Sequence, residues 1–449
     1  MKATVYFSVA ALSAACCLAQ TDPGVRGGSP GAGQPFTTLT PGELDFFTNH
    51  GLPTFQEIEN VSQGLGPRFN LDSCGGCHAY PAPGGSSPPV NPQVTRAASM
   101  APGNTVPSFL SPNGPVREAR FIRNPDFTPD GGVHAIFTIS GRTDNPSGCA
   151  LTQPNFSQQQ TFNNVIFRIP TPTFGAGLIE TIPDSTIKSN LASDPGGRKA
   201  QLGIKGKVNT TGNDGTVTRF GWKAQNKSLQ VFAGEAYNVE MGVTNENFPN
   251  EREENPACAT NGTPESYTNY NVGSTDPADI LSFMQFMKFL DQPVPVTSYG
   301  SVTAASIQNG ANLFVTTGCA LCHTPTLTTG HSNSPSLEQK QAHLFSDLAV
   351  HHMGPGLADG VSQGAAGPDE FRTAPLWGLG QRIFFLHDGR TSDLMQAIQA
   401  HSSGAGCGLI CSLLSNFFST GSEANGVLQN FNALSSGQKQ DVLNFLRSL

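Results

Sequence analysis

Apolar positions recur at helical spacing in the last third of the chain, where they predict three helices. The first is the strongly apolar run Ile280–Leu290, which ends before the breaker Pro293. The second leads into Cys319, and its apolar face comprises Ile307, Ala311, Phe314 and Val315. The third closes the chain behind the cap Ser435, with an apolar face made of Val442, Leu443, Phe445 and Leu446. We expect the closing helix to pack on the helix that leads into Cys319.

The first two thirds of the chain combine shorter helices with a few strands. Thr40 suits an N-cap, and a helix is predicted from there to about His50. Residues 226–240 also alternate at helical spacing. The β-rich runs 133–140 and 164–169 predict short strands in the middle of the chain.

Composition adds long ordered loops to this picture. The 449 residues include 50 Gly and 34 Pro, and only 13% of them are charged, which is typical of short helices joined by loops. A chain of this length accommodates two or three domains. The net charge is -8 and there is no basic run, which argues against nucleic acid as a partner.

The N-terminus is typical of an export signal. A basic start, an apolar stretch and a small-residue cleavage site ending at Ala19 predict that residues 1–19 are a signal peptide. The protein is then periplasmic or secreted, and no later stretch is apolar enough to span a membrane. Cys16 and Cys17 keep a lipoprotein open as the alternative. Residues 20–39 are rich in Gly and Pro and are predicted to be a flexible lead-in.

The cysteine count agrees with an oxidising destination. Of the ten cysteines, two are in the signal peptide and four are in the motifs described next. The other four suggest disulfides in an exported chain. Cys407 and Cys411 are close enough in sequence to pair, and Cys149 with Cys258 would be the other bridge; free buried thiols are the alternative.

Two copies of Cys-x-x-Cys-His carry the clearest chemistry, at Cys74–His78 and Cys319–His323. Two thiols at this spacing can each add to one vinyl group of a porphyrin, and the adjacent histidine then ligates the iron. A single copy could be half a zinc site or a redox dithiol, but two copies in an exported chain indicate covalent haem. We predict two haem c groups, attached through Cys74, Cys77, Cys319 and Cys322, with His78 and His323 as iron ligands.

The supply of second iron ligands differs between the two motifs. A haem with two protein ligands transfers electrons, whereas a haem with an open face can bind peroxide or oxygen. No His or Met follows His78 before Met100, which indicates an open face. His134 is the best candidate if a ligand exists, and a buried structural histidine is its other interpretation.

The stretch Leu386–Arg390, Leu-His-Asp-Gly-Arg, resembles the C-terminal signature of the di-haem oxidoreductase family, also labelled thiol oxidoreductases. This family belongs with the bacterial di-haem cytochrome c peroxidases. Other matching stretches are Phe69–Leu71, Arg219–Ala224, Met241–Thr244, Ser346–Asp347, Gly356–Asp359 and Arg372–Trp377. The resemblance covers about residues 40–449 and is specific in combination. The sequence does not support the thiol label, because no reactive cysteine pair stands out in it.

The resemblance implies a ligand and a bridging residue. His401 lies fourteen positions after His387, where the superfamily places the sixth ligand of the C-terminal haem. Met353 is the next candidate, and His401 could instead be a surface histidine. Trp222 matches the aromatic residue between the two haems, with Trp377 as the alternative and an ordinary core tryptophan as the other interpretation.

The resemblance also implies an acid-base residue. Glu240 matches the acid that takes a proton from bound peroxide and returns it to the leaving oxygen; a solvated acid at a helix end is the alternative. The spacing of Glu240 departs slightly from the peroxidase pattern, and many relatives have Asp at this position. The superfamily often holds a calcium ion between its domains, but no ligand set in this sequence is clear enough to name.

Together these observations predict a mainly α protein of two cytochrome c-like domains, residues 40–275 and 276–449, with long loops and a few short strands inserted. A small electron-donor protein or redox carrier would deliver electrons to the C-terminal haem, and peroxide or another small oxidant would be reduced at the N-terminal haem. The alternatives are a purely electron-transferring cytochrome and oxygen-dependent oxidation of an organic substrate, as in the related di-haem rubber oxygenases. The sequence indicates no oligomeric state.

Overall fold

The chain folds mainly into α-helices joined by long loops, which confirms the predicted fold class; the cytochrome c-like arrangement of two domains stays a prediction. The computed structural model describes residues 20–449 except 101–103, 125, 129–134, 137, 140–146, 150, 251–254, 260–264, 266, 271–273 and 404–420. No helix of this described part is long and apolar enough to cross a bilayer.

The helices are α1 (Pro41–Phe46), α2 (Leu52–Gln56), α3 (Cys74–Cys77), α4 (Pro92–Ser99), α5 (Phe156–Thr161), α6 (Ala176–Thr181), α7 (Asp184–Ala192), α8 (Arg198–Leu202), α9 (Leu229–Met241), α10 (Asp279–Phe289), α11 (Ala304–Thr317), α12 (Leu394–Gln399), α13 (Asn425–Asn432) and α14 (Ser436–Ser448). The strands are β1 (Glu118–Phe121), β2 (Ala135–Ile136), β3 (Val165–Arg168), β4 (Asn209–Thr210), β5 (Val217–Thr218), β6 (Leu327–Thr328), β7 (Gln341–Ala342), β8 (Val350–His352) and β9 (Glu370–Arg372).

Helix α1 begins behind Thr40, as predicted. The Thr40 hydroxyl accepts a hydrogen bond from the Glu43 backbone N–H while the Glu43 carboxylate accepts one from the Thr40 N–H, which forms a capping box. The helix does not end near His50. It continues through one π-helical turn, Phe47–Gly51, into α2. This turn lies against α10, where a Cβ on Gly51 would be 3.1 Å from the Phe286 Cβ.

Helices α2, α6, α9 and α10 build the larger of the two main hydrophobic cores in the described part of the chain. Helices α9 and α10 confirm the helices predicted for residues 226–240 and Ile280–Leu290. The Tyr237 ring of α9 packs edge-on against Phe283 of α10, with ring centroids 4.9 Å apart. Helix α10 therefore packs with helices that precede it in the chain. The predicted domain boundary after residue 275 stays a prediction.

A three-stranded antiparallel sheet has β1 at its centre, between β2 and β3. Strands β2 and β3 lie within the runs 133–140 and 164–169, and so confirm strand there. Strand β1 is not predicted by the sequence, because Glu, Ala and Arg have weak strand preferences. Glu118 and Arg120 are two residues apart and therefore share one face of the sheet, and this placement matters for the site described below.

Helices α11 and α14 pack together in the second core, as expected. The predicted apolar face of α14 is buried, and Ser435 caps the helix. In α11, Phe314 is buried, but Val315 is 50% exposed, so its predicted place in the apolar face is wrong. Each residue turns about 100° around a helix, and Val315 therefore turns away from the side on which Phe314 meets the core.

Gly310 allows α11 and α14 to approach closely. A Cβ at this position would lie 1.9 Å from the Asp441 carbonyl oxygen and 2.7 Å from the Phe445 Cβ. Replacing Gly310 by Ala is therefore expected to lower the free energy of unfolding by about 1–3 kcal/mol, the usual cost of overpacking. Urea unfolding of the haem-loaded protein measures this. The matched control is Gly437→Ala in α14, where the added Cβ meets nothing within 4 Å; equal destabilisation of the two variants would contradict the close crossing.

Residues 20–39, predicted to be a flexible lead-in, make fixed contacts with both cores. The Asp22 carboxylate accepts hydrogen bonds from Arg447 at 2.8 and 2.6 Å, and this ion pair is buried. Phe36 is buried in the larger core, where its N–H donates to the Phe289 carbonyl. Separating Asp22 from Arg447 would leave an unpaired buried charge, which is costly. These contacts therefore hold the segment in place despite its Gly and Pro content.

The structure forms one of the two suggested disulfides. Cys149 is bonded to Cys258. Cys407 and Cys411 lie outside the described residues, as do His134 and the predicted signal peptide at residues 1–19.

Candidate functional site

A first cavity surrounds the motif Cys74–His78, with about 1180 Å³ of space including its open mouth. The single turn of α3 places both cysteines and the histidine on the cavity wall. The His78 Nδ1 lies 3.1 Å from the Gly85 carbonyl oxygen, and with Nδ1 as the donor, Nε2 is the nitrogen that would ligate a metal. Burial lowers the pKa of His78 to about 4, so the imidazole is neutral, which is its ligating form.

Charged side chains line part of this first cavity. Glu240, in the last turn of α9, lies there with Glu118 and Arg120 of β1. Burial and the negative charge of Glu118 raise the pKa of Glu240 to about 8; Arg120 opposes this shift and Glu235 adds to it. The Arg120 guanidinium lies 3.0 Å from a Glu118 carboxylate oxygen. Glu240 therefore lines the cavity, and its raised pKa favours the protonated form at neutral pH.

Few side chains in the first cavity could act as a second iron ligand. Among the described residues that line it, His78 is the only histidine, and Met241 and Met287 are the only methionines. His134, the other ligand candidate, lies outside the described residues, so the asymmetric ligand supply stays a prediction.

A second cavity, with about 1400 Å³ of space including its mouth, surrounds the motif Cys319–His323. Helix α11 ends just before it, and Cys319–Leu321 form a 3-10 turn. The His323 Nδ1 lies 3.0 Å from the Phe345 carbonyl oxygen, which again leaves Nε2 free. Burial lowers the pKa of His323 to about 4, and the nearby His401 contributes to the shift.

His401 faces His323 across this second cavity, with ring centroids 6.5 Å apart. The His401 Nδ1 lies 2.8 Å from the Ala397 carbonyl oxygen, so its Nε2 is also free. Metal–imidazole bonds are about 2 Å long, so two rings at this spacing would be close enough to share one iron atom. Met353, the alternative ligand, lines the same cavity.

Both cavities fit a haem. Each combines two thiols with a neutral histidine whose Nδ1 is engaged by a carbonyl and whose Nε2 is available, the arrangement common to metal-binding histidines. The second cavity adds a mostly apolar wall suited to a porphyrin, which includes Phe314, Leu376, Phe385, Leu394 and Leu428.

Trp222 lines both cavities. Its indole N–H donates to the Ile169 carbonyl at 3.0 Å, which fixes the ring. His387 lies edge-on to the indole, with centroids 6.4 Å apart, and stacks on Phe371 at 4.3 Å. Trp377 is buried in the larger core and lines neither cavity. Of the two tryptophans, Trp222 is thus the one that shares a wall with both cavities.

Buried charges hold the wall behind Trp222. The Lys223 ammonium is fully buried and donates to the carbonyls of Gly367 and Glu370 at 2.8 and 2.9 Å. It also lies 3.3 Å from an Asp359 carboxylate oxygen, and Arg168 pairs with the same carboxylate. Lys223 and Arg168 thus share one carboxylate, and backbone carbonyls accept the other hydrogen bonds of the ammonium.

No calcium ligand set emerges among the described residues. The one group of three His, Cys, Asp or Glu side chains close enough to share a metal there is Cys322, Asp347 and His351. Cys322 belongs to a haem motif, and calcium prefers oxygen ligands.

Sequence reasoning missed three residues of this region. Glu118 and Arg120 gave no signal because their strand was not predicted. His387 was visible in the Leu-His-Asp-Gly-Arg signature but had no role. Burial and the positive charges of Arg168, Arg390 and Lys223 lower the pKa of His387, so its ring is neutral beside Trp222.

A family model described as "Di-haem oxidoreductase, putative peroxidase" matches residues 128–409. Comparison with the curated proteins gives no match. Among solved structures, Kuenenia stuttgartiensis hydrazine synthase pressurised with xenon is similar to this chain with a TM-score of 0.24 and 15% sequence identity. The match covers 39% of this chain and 56% of that chain, and at this level it carries no argument about fold or function.

Proposed function

Because the chain belongs to the di-haem oxidoreductase family, we propose that it reduces peroxide in the first cavity with electrons received in the second. When bound, the two haems supply the one-electron carriers that this chemistry requires. The observation that carries the proposal is the difference between the cavities. The second offers two facing histidines, whereas the described lining of the first offers one histidine and a protonatable acid.

In the first cavity, His78 would hold the iron through Nε2, and Glu240 moves protons. In its ionised form, Glu240 takes a proton from bound peroxide and returns it to the leaving oxygen. Each peroxide consumes two electrons and two protons and gives two waters. Arg120 lies in the same cavity, where a positive charge favours the ionised form of Glu240.

In the second cavity, His323 and His401 would both hold the iron, and an iron with two protein ligands would not take up peroxide. Two histidine ligands suit an electron-transfer site. Trp222 shares a wall with both cavities, and its indole is the aromatic side chain through which electrons pass from the second to the first.

Export and covalent attachment are part of the same proposal. The Cys149–Cys258 disulfide supports an oxidising compartment, periplasmic or extracellular. Cys74, Cys77, Cys319 and Cys322 would form the thioether bonds. The two cytochrome c-like domains would be residues 40–275 and 276–449, and a small redox protein or carrier would supply electrons to the second.

Rapid mixing of the fully reduced protein with hydrogen peroxide tests this function. We expect each peroxide to reoxidise both haems, and cyanide to prevent the reaction by occupying the first. Replacing Trp222 by Phe is expected to slow reoxidation of the second haem, because phenylalanine is much harder to oxidise than tryptophan, while both haem spectra stay unchanged. Trp377→Phe is the control. Reduced protein that peroxide does not reoxidise would refute the proposal.

A further inference from the structure

Two arginines that line the second cavity, Arg372 and Arg382, lack a carboxylate partner among the residues that the structure describes. Both are buried, with 8% and 9% of their surface exposed. The Arg372 Nε donates to the Gly221 carbonyl at 3.0 Å. Arg382 reaches only the Pro375 carbonyl, at 3.4 Å, and its buried Nε has no hydrogen-bond partner. The charges that act most on the two guanidinium groups are other arginines.

Other buried arginines of the protein do have carboxylate partners. Arg447 has the Asp22 carboxylate, and Arg168 has that of Asp359. Burial and the charge of the neighbouring arginine lower the pKa of Arg372 and of Arg382 to about 10, which still leaves both charged at neutral pH. Two buried like charges without a counterion are costly. A ligand that brings negative charge into this cavity would remove that cost.

We propose that Arg372 and Arg382 form an anion site that binds the two propionate carboxylates of the haem in the second cavity. Haem carries two such carboxylates on the half of the porphyrin away from the vinyl groups that cysteines take. Guanidinium groups match carboxylates in geometry and can bind them through paired hydrogen bonds. The inference requires a haem in this cavity but not the peroxidase activity.

Arg372 also ties this anion site to the wall between the cavities. Its backbone N–H donates to the Trp222 carbonyl at 2.9 Å, and its side chain holds the preceding carbonyl of Gly221. Arg372 therefore anchors a haem carboxylate and also the backbone at Trp222. The two positive charges also favour the reduced form of this haem, since reduction removes one positive charge from the iron.

Redox titration of the low-spin haem in the intact two-haem protein tests the site. Arg382→Gln and Arg372→Gln are each expected to lower the ratio of reduced to oxidised haem at a fixed potential by about tenfold, which corresponds to about 59 mV for one electron. Arg382→Lys keeps the charge and is expected to stay close to the parent protein. Arg390→Gln is the matched control, since it removes the same charge from a partly exposed ion pair with Asp388.

Resonance Raman spectra give a second readout that does not depend on activity. The propionate bending bands should shift in Arg372→Lys and Arg382→Lys, because a lysine cannot make the paired hydrogen bonds of a guanidinium. These variants also serve if the glutamine variants do not fold. Potentials in the glutamine variants that equal that of Arg390→Gln, or propionate bands unchanged in both lysine variants, would overturn the proposal. If the potential and the propionate bands shift as expected but the parent protein does not turn over peroxide, only the proposed function is refuted.

Discussion

Replacing Glu240 by Gln is expected to lower peroxide turnover by about 10²–10⁴-fold, the usual contribution of general acid–base catalysis. Glutamine keeps the shape of the side chain but cannot accept a proton from peroxide. Because Glu240 lines the first cavity and not the second, the spectrum and potential of the second haem should not change. Steady-state peroxide reduction with an excess of a reduced artificial donor measures the effect.

The pH dependence of turnover shows whether Glu240 acts in its ionised or its protonated form. Burial and the charge of Glu118 raise the pKa of Glu240 to about 8, with Glu235 adding to the shift and Arg120 opposing it. The ionised carboxylate is the base, so turnover should increase as the pH rises through about 8. In Glu240→Gln this increase of turnover with pH should be absent. Glu246→Gln removes an exposed carboxylate just after the helix and is the control. Unchanged turnover in Glu240→Gln would exclude its catalytic role.

Replacing His401 by Ala is expected to open the second haem. Without its facing imidazole the iron would become high-spin, and cyanide would bind two haems per chain instead of one. The potential of this haem should rise, because a histidine ligand favours the oxidised iron. Titration with cyanide, followed in the absorption spectrum, measures the change.

Two further variants make the His401 result specific. Met353 lines the same cavity and could replace the lost ligand, so the double variant His401→Ala, Met353→Ala should be high-spin even if the single variant is not. His331→Ala removes an exposed histidine and should change nothing. A second haem that stays low-spin in the double variant would show that His401 is not its ligand.

The sequence was most informative where local patterns decide structure. Thr40 with Glu43 predicted the start of α1, and the apolar periodicity of residues 226–240 predicted α9. The two Cys-x-x-Cys-His motifs predicted where two haems attach, and each motif lies on the wall of a cavity. Residues 20–39 show where composition fails to predict structure. Their Gly and Pro content suggests a flexible segment, but their position depends on distant partners such as Arg447.

The parts of the site that the sequence did not indicate depend on long-range contacts. Glu118 and Arg120 reach the first cavity only because β1 is held between two strands that follow it in the chain. Arg372 and Arg382 are informative because no carboxylate among the described residues pairs with them, and no sequence pattern records such an absence. The Leu-His-Asp-Gly-Arg signature contained His387, but only its ring contact with Trp222 suggests where it acts.

The central claim is that the two haem sites differ, with His78 facing an open position and His323 facing His401. Electron paramagnetic resonance of the oxidised protein, recorded with and without cyanide, tests it most directly. We predict one high-spin haem whose signal disappears on adding cyanide, and one low-spin haem that cyanide does not change. Two low-spin haems, both unaffected by cyanide, would contradict the account.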